Sequence, residues 1–259
     1  MTIDADTAAA AMTQTWEHLL RADPDRGWSV RQDGVFAMVV GVNMPVLNGV
    51  WSVRADPDPG ILERLLDRVA GSGLAHCLQL RPGVSPALAG LAAARGMSEG
   101  PEPLMVLADP ARLDAAKRAA AQGAVGLEIR QLDPDEAAAH VAVAATGFGA
   151  PEELFAEVMT PALLGAPGVR CYVGEAGGRP VTTGIGLTLG PFTGVFNVAT
   201  VPAGRRRGYG AALTARAVSD GLAAGASWSW LQASPDGYGV YERLGFRTVE
   251  TWRVWVRVP

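Results

Sequence analysis

The sequence predicts a mixed α/β protein made of two successive copies of one strand–helix arrangement. Three observations carry this. Short apolar runs of strand character alternate with helical apolar spacing along the whole chain. The segment Asn48-Gly49-Val50-Trp51-Ser52-Val53 stands opposite Thr193-Gly194-Val195-Phe196-Asn197-Val198, and Arg95-Gly96-Met97 stands opposite Leu244-Gly245-Phe246. The offset between these two matches drifts by only four residues, so the insertions separating the halves are small. The expected organisation is a first domain over 1–108, a linking helix and loop over 109–126, and a second domain over 127–259.

Composition sets the bounds. The 259 residues suffice for two modest domains. A hydrophobic fraction of 49% and a mean hydropathy of +0.15 permit full cores. Net charge is −4, which argues against nucleic acid or an anionic membrane as a partner. The two cysteines, Cys77 and Cys171, lie far apart in apolar surroundings and read as buried thiols. His18, His76 and His140 show no metal spacing, so no metal is expected. The first eleven residues lack a basic, apolar leader pattern, and no run is long enough to span a bilayer. A soluble protein of the reducing cytoplasm is expected.

In the first half, residues 5–21 have helical spacing, with Asp4 or Asp6 as cap. Trp28–Val30 and Val35–Val40 read as strands about an Asp33-Gly34 turn, and 48–53 as another. Asp58 followed by Pro59 starts a helix carrying Ile61, Leu62, Leu65, Leu66 and Val69. A strand over 74–80, a short helix over 86–95 and a strand pair at Met97 and 104–107 follow. Asp109–Ala121 has the pattern of a bridging helix.

In the second half, 127–132 alternates as a strand. Asp133 and Glu136 suggest a capping box for a helix that ends at Gly147-Phe148-Gly149. Pro151 opens another helix through Phe155, Val158 and Met159. A hairpin over 169–189 turns at Gly177-Gly178, and 192–200 is the central strand. Helical spacing over Leu213, Ala217, Val218 and Leu222, a strand over 227–233 with Trp228 and Trp230 on one face, a short helix over 238–244 and a last strand over 247–258 complete the order. Trp252 and Trp255 on that strand suit either a core or a partner.

The chemistry concentrates in Val201-Pro202-Ala203-Gly204-Arg205-Arg206-Arg207-Gly208-Tyr209-Gly210-Ala211. This segment lies where a strand turns into a helix. A helix N-terminus carries about half a positive charge, so cations there are unfavourable unless an anion offsets them. Free amides of the first turn can cradle that anion, and Gly208 and Gly210 permit close approach. A solvated basic turn is the bland alternative. A P-loop is excluded by the absence of Gly-Lys-Ser/Thr, and a dinucleotide fingerprint by Leu213 in place of its third glycine. At the matching place the first half has Asp56 and Asp58, which would repel a diphosphate.

The run Arg205-x-x-Gly208-x-Gly210 after Val201-Pro202, with Tyr238-Gly239-Val240-Tyr241-Glu242-Arg243-Leu244-Gly245-Phe246 downstream, resembles the GCN5-related N-acetyltransferases (GNAT). The resemblance covers roughly residues 127–257; Arg206 stands where glycine is frequent. It implies two tandem GNAT-like mixed-sheet domains with central splayed strands flanked by helices, the first a degenerate copy without the coenzyme loop. It implies acetyl-CoA as the donor and a primary amine of a small molecule or peptide as the acceptor, in a monomer or homodimer. Coenzyme contacts would come from Val198, Ala199, Thr200, Val201, Arg205, Arg206, Arg207, Gly208, Tyr209, Gly210, Ala211, Ser234 and Tyr241. The central strand would bulge, offering an amide near Val198 to the thioester carbonyl.

Tyr241 falls at the family's general-acid position, and a phenol with an ordinary pKa near ~10 keeps its proton at neutral pH. Packing is its competing role. Ser234 is a coenzyme ligand or a helix cap. Asn197 can orient a water or an acceptor but cannot take a proton. Phe148, Phe155 and Met159 are pocket candidates on the acceptor side, though their helical spacing favours core. No acid lies on the central strand, so no general base is identified; Glu175 and Asp236 are not supported by spacing. A non-catalytic acyl-CoA-binding module is the alternative function.

Overall fold

The computed structural model describes residues 2–258 apart from 110, 113, 116, 117, 119–121 and 123. The chain forms two compact units that are not contiguous in sequence. One comprises Asp4–Leu104 with Thr248–Pro259, the other Met105–Arg247 with the first three residues.

The N-terminal unit begins with α1 (Ala5–Arg21), capped by the Asp4 side chain, which accepts from the Thr7 amide. Then come β1 (Trp28–Gln32), β2 (Val35–Val39), β3 (Gly49–Ser52), α2 (Pro59–Ala70), β4 (His76–Leu80), α3 (Pro86–Ala94) and β5 (Ser98–Leu107). β3 is antiparallel to β2 and parallel to β4. β2, β3 and β4 are buried throughout, as strands covered on both faces must be. Leu62, Leu65, Leu66 and Val69 of α2 lie one helical turn apart and fill the core against Val50, Leu78 and Trp255. β5 is one ten-residue strand, not a pair. Only its last four residues are fully buried, which is why the apolar signal covered so little of it. The helix expected over 109–121 lies largely outside the described residues.

The C-terminal unit continues with β6 (Leu127–Gln131), α4 (Ala137–Phe148), α5 (Glu152–Val158), α6 (Pro161–Leu164), β7 (Val169–Ala176), β8 (Arg179–Leu189), β9 (Phe192–Thr200), α7 (Tyr209–Ala223), β10 (Trp228–Gln232) and α8 (Pro235–Arg243). Its strand order is β10-β9-β8-β7-β6, with the end of β5 beside β10. Leu213, Ala217 and Val218 of α7 pack on Tyr172, Val195 and Leu231. The β7–β8 turn has Gly177 and Gly178 both at positive φ, the backbone a two-residue hairpin demands.

Two helix starts differ from expectation. α4 begins at Ala137 with no side-chain cap: the expected capping-box bond from the Asp133 amide to the Glu136 carboxylate forms (2.8 Å), and Glu136 also pairs with Arg130 (2.9 Å), but the reciprocal Asp133 cap does not form. α8 begins at Pro235, since Ser234 caps it.

The final strand, β11 (Arg247–Arg257), lies between β4 and β5 and antiparallel to β4, so it completes the N-terminal unit. Its tryptophans, Trp252 and Trp255, are both core residues. Cys77 and Cys171 are buried free thiols. Among the described residues no helix is long and apolar enough to cross a membrane.

Candidate coenzyme-binding and acyl-transfer site

The site grows from an interrupted strand. β9 has nine residues, but its parallel pairing with β10 covers only Phe192, Thr193 and Gly194. A side chain at Gly194 would come 2.8 Å from the Trp230 ring, so glycine allows that last close contact. Beyond it the two strands part. On its other edge β9 slips register against β8: Thr183 pairs with Ala199 and Ile185 with Phe196. Asn197 and Val198 thus oppose the single residue Gly184, a β-bulge. Asn197 sits at φ 52°, the left-handed conformation asparagine tolerates better than most residues. Gly184 is fixed by crowding, because an added Cβ would lie 2.7 Å from Leu213 and 3.1 Å from Val198.

The chain then enters the basic loop. The Val201 amide donates to Val181 O at 3.0 Å and is committed to the sheet. Thr182 Oγ1 donates to Ala199 O (2.8 Å) and meets Thr200 Oγ1 at 3.0 Å. Arg205 is a brace: its Nη2 donates to Gly147 O at 2.8 Å and its Nε to Thr200 O at 3.4 Å. Arg206 and Arg207 are exposed and have no ion-pair or hydrogen-bond partner among the described residues. Arg206 adopts φ 60° and Gly208 φ 79°.

Gly208 is the N-cap of α7, and it offers no side chain to the first turn. The amides of Arg207 to Ala211 accordingly meet no acceptor among the described residues. That first turn contains no acid. Tyr209 is buried against Gly204. Gly210 brings the helix start to β9: its Cβ would lie 3.3 Å from Thr200 Oγ1 and 3.9 Å from Val198. Ala211 and Val198 both lean on the α7 core. Unpaired amides, an uncapped helix and two unpartnered guanidiniums fit a diphosphate.

Ser234 accepts from the Gly237 amide (3.2 Å), so the capping role is the one seen. Tyr241 packs over Gly237 and edge-on to Phe246, with centroids 6.1 Å apart. It leans on the same core as Val198. Burial pushes its phenol up to about 12, which keeps the proton on oxygen. Phe155 and Met159 are core residues, whereas Phe148 is 53% exposed and stacked on Phe155 at 5.8 Å. Glu175 pairs with Arg130 at 3.4 Å. Sequence reasoning missed His140: it lies on the buried face of α4 and its Nε2 is 3.0 Å from Asn197 Nδ2. An isolated histidine in an alanine-rich helix gave no signal.

In the N-terminal unit the start of α2, after β3, is closed. Asp58 caps α2, accepting from Ile61 N at 2.8 Å, and Pro59 has no amide to offer. Arg81 donates to Val53 O (2.9 Å), its amide donates to Ser52 Oγ (2.9 Å), and Glu250 holds its guanidinium at 2.8 Å.

A parted, bulged strand that leads through a basic loop into a helix without a side-chain cap is the distinguishing feature of this α/β unit. Residues 128–246 match the model of the acetyltransferase (GNAT) family, and this region of the chain is a GNAT domain. A comparison with curated proteins finds no match. Among solved structures, the chain is similar to a GCN5-related N-acetyltransferase from Kribbella flavida, with TM-score 0.63 and 18% identity over 94% of each chain. A functionally unknown conserved protein from Staphylococcus epidermidis gives TM-score 0.66 and 10% identity, covering 92% of this chain and 96% of that one. A GCN5-related N-acetyltransferase-like protein from Streptococcus suis gives 0.59 and 12%, covering 96% and 99%. These likenesses establish the fold, over nearly the whole length of the chain.

Proposed function

We propose that this protein is an acetyl-CoA-dependent N-acetyltransferase acting on a primary amine of a small molecule or peptide. One observation carries the reading: the uncapped start of α7, with Arg206 and Arg207 unpartnered, lies against the bulge of β9. When bound, acetyl-CoA supplies an activated acyl thioester. Arg206, Arg207 and the amides from Arg207 to Ala211 would hold its diphosphate. The stretch of β9 past Gly194, no longer paired with β10, suits an extended arm laid beside it like an added strand. The Val198 amide would polarise a carbonyl, and Tyr241 holds a proton on its oxygen for a departing thiolate. Ser234 supports α8 beneath it, and Asn197 orients the amine.

In this reading the unit of Met105–Arg247 carries the activity, and the unit of Asp4–Leu104 descends from a second copy that lost the ligand; β11, expected within the active domain over 127–259, belongs with that second copy instead. The Asp58 cap and the Arg81 contacts support that loss, since they occupy the amides and the strand opening a coenzyme would need. Buried free thiols suit a reducing cytoplasm.

Calorimetry with coenzyme A tests the loop. Binding is expected for the natural sequence and its loss for Arg206→Glu with Gly210→Asp; equal affinity in the two proteins would remove the assignment. Thiol release across aminoglycosides, polyamines, amino acids and peptides then tests the enzyme. A second reading, a non-catalytic acyl-CoA-binding module, is favoured by the lack of any carboxylate on β9. It predicts binding without thiol release.

A further inference from the structure

The C-terminal unit holds a buried polar chain that the loop does not explain. His140 of α4 is fully buried. Its Nδ1 lies 2.7 Å from Thr183 Oγ1 and 3.2 Å from Cys171 Sγ, and its Nε2 lies 3.0 Å from Asn197 Nδ2. The protons can be counted. Thr183 Oγ1 is also 2.7 Å from the Tyr172 carbonyl oxygen, which only accepts, so the one hydroxyl proton goes there. A bare Nδ1 would then face an oxygen lone pair at 2.7 Å, so Thr183 Oγ1 accepts from His140, the ring proton is on Nδ1, and the Cys171 sulfur at 3.2 Å is a weak second acceptor of it. Burial holds the imidazole neutral, with its pKa lowered to about 4, so Nε2 is a bare lone pair. A lone pair there can meet only the NH2 side of the Asn197 amide. The amide oxygen, Oδ1, is left without a partner among the described residues.

Orientation matters because of where Asn197 is. It forms the bulge of β9, where the strand parts from β10. An amine attacks through its lone pair. An Oδ1 there accepts an amine N–H and leaves that lone pair free. The reversed amide would aim an N–H at the lone pair and mask it.

We propose that His140 is a positioning residue: it locks the Asn197 side chain so that Oδ1, and not the NH2 group, is presented to an amine beside the bulge. The amine half of this proposal rests on the N-acetyltransferase reading; the lock does not. Long-range 1H–15N correlation spectra of the whole protein at pH 7 decide the lock. The Nδ1–H tautomer is expected for His140, and an Nε2–H tautomer overturns the proposal whatever the enzyme does. The amine half is read from Asn197→Gly, which keeps the positive φ without strain and removes the amide. Acceptor kcat/KM is expected to fall by roughly 10-fold, the scale of one hydrogen bond, with coenzyme affinity within about twofold of normal. His140→Phe should act in the same direction, and the double variant should add little. Unchanged acceptor kinetics in Asn197→Gly, or an equal loss of coenzyme affinity, overturns it. If the natural sequence releases no thiol with any amine, the acetyltransferase reading and the amine half fall together, while the tautomer still tells whether the lock exists.

Discussion

Arg205 and Gly147 are joined across 58 residues of sequence by a 2.8 Å hydrogen bond from guanidinium to carbonyl. The bond fastens the end of α4 to the loop that follows β9. It divides the three consecutive arginines into two kinds: Arg205 braces the fold, while Arg206 and Arg207 face solvent. Arg205→Ala should lower stability by roughly 0.5–1 kcal/mol, seen as a lower Tm. Arg206→Ala and Arg207→Ala should leave Tm unchanged. Each should weaken coenzyme A binding about 5- to 10-fold in low salt and less in high salt, because exposed charges are screened. Equal Tm losses for all three would erase the distinction.

Gly147 lies where α4 touches β9. A Cβ there would come 2.9 Å from the Ala199 methyl and 3.2 Å from the Thr200 amide nitrogen. Backbone cannot yield as a long side chain can. Gly147→Ala is therefore expected to cost about 1–3 kcal/mol, measured by urea unfolding. An unaffected midpoint would mean that α4 and β9 separate more readily than their contact suggests.

Tyr241→Phe removes the phenolic proton and leaves the packing against Phe246. Turnover should drop by about 100-fold or more, with coenzyme affinity retained. Because burial pushes the phenol up to about 12, the natural sequence should show no Tyr241-dependent fall in kcat below pH 10. An alkaline fall at lower pH that vanishes in the phenylalanine variant would contradict the burial.

His140 makes stability depend on pH. Its folded-state pKa of about 4 lies below the ordinary 6.5, so its contribution is complete above 6.5 and is lost as pH falls toward 4. Between pH 7.5 and 5 the loss should be about 2 kcal/mol. Urea unfolding at those two values, compared with His140→Phe, measures it. The same slope in the variant would assign the effect to other groups.

Arg81 and Glu250 form an ion pair at 2.8 Å with side chains 5% and 9% exposed. Arg81→Met should cost roughly 3 kcal/mol, since it strands a buried carboxylate. Adding Glu250→Leu should recover much of that. Two independent, additive losses would show that the pair is not coupled.

Much of this fold was legible where a short-range rule governs it. Asp58 before Pro59 marked the start of α2, Gly177-Gly178 marked the hairpin, and the apolar spacing of Leu213, Ala217 and Val218 marked the buried face of α7. The arginine loop was legible because cations at a helix start oppose a local electrostatic preference. What escaped was assembled at long range. His140 meets Asn197 57 residues away and Thr183 43 away, and no local pattern encodes such a meeting. The division of labour among the arginines also needed Gly147 in view.

The placement of β11 has a consequence for biogenesis. The strand that fills the gap between β4 and β5 is synthesised after all of Met105–Arg247. A ribosome that has emitted Leu104 has made a sheet with an open seam and no Trp255 for its core. The first-made unit thus stays unsealed until β11 has emerged, and until then its unpaired strand edges are the surface a chaperone or a neighbouring nascent chain would meet.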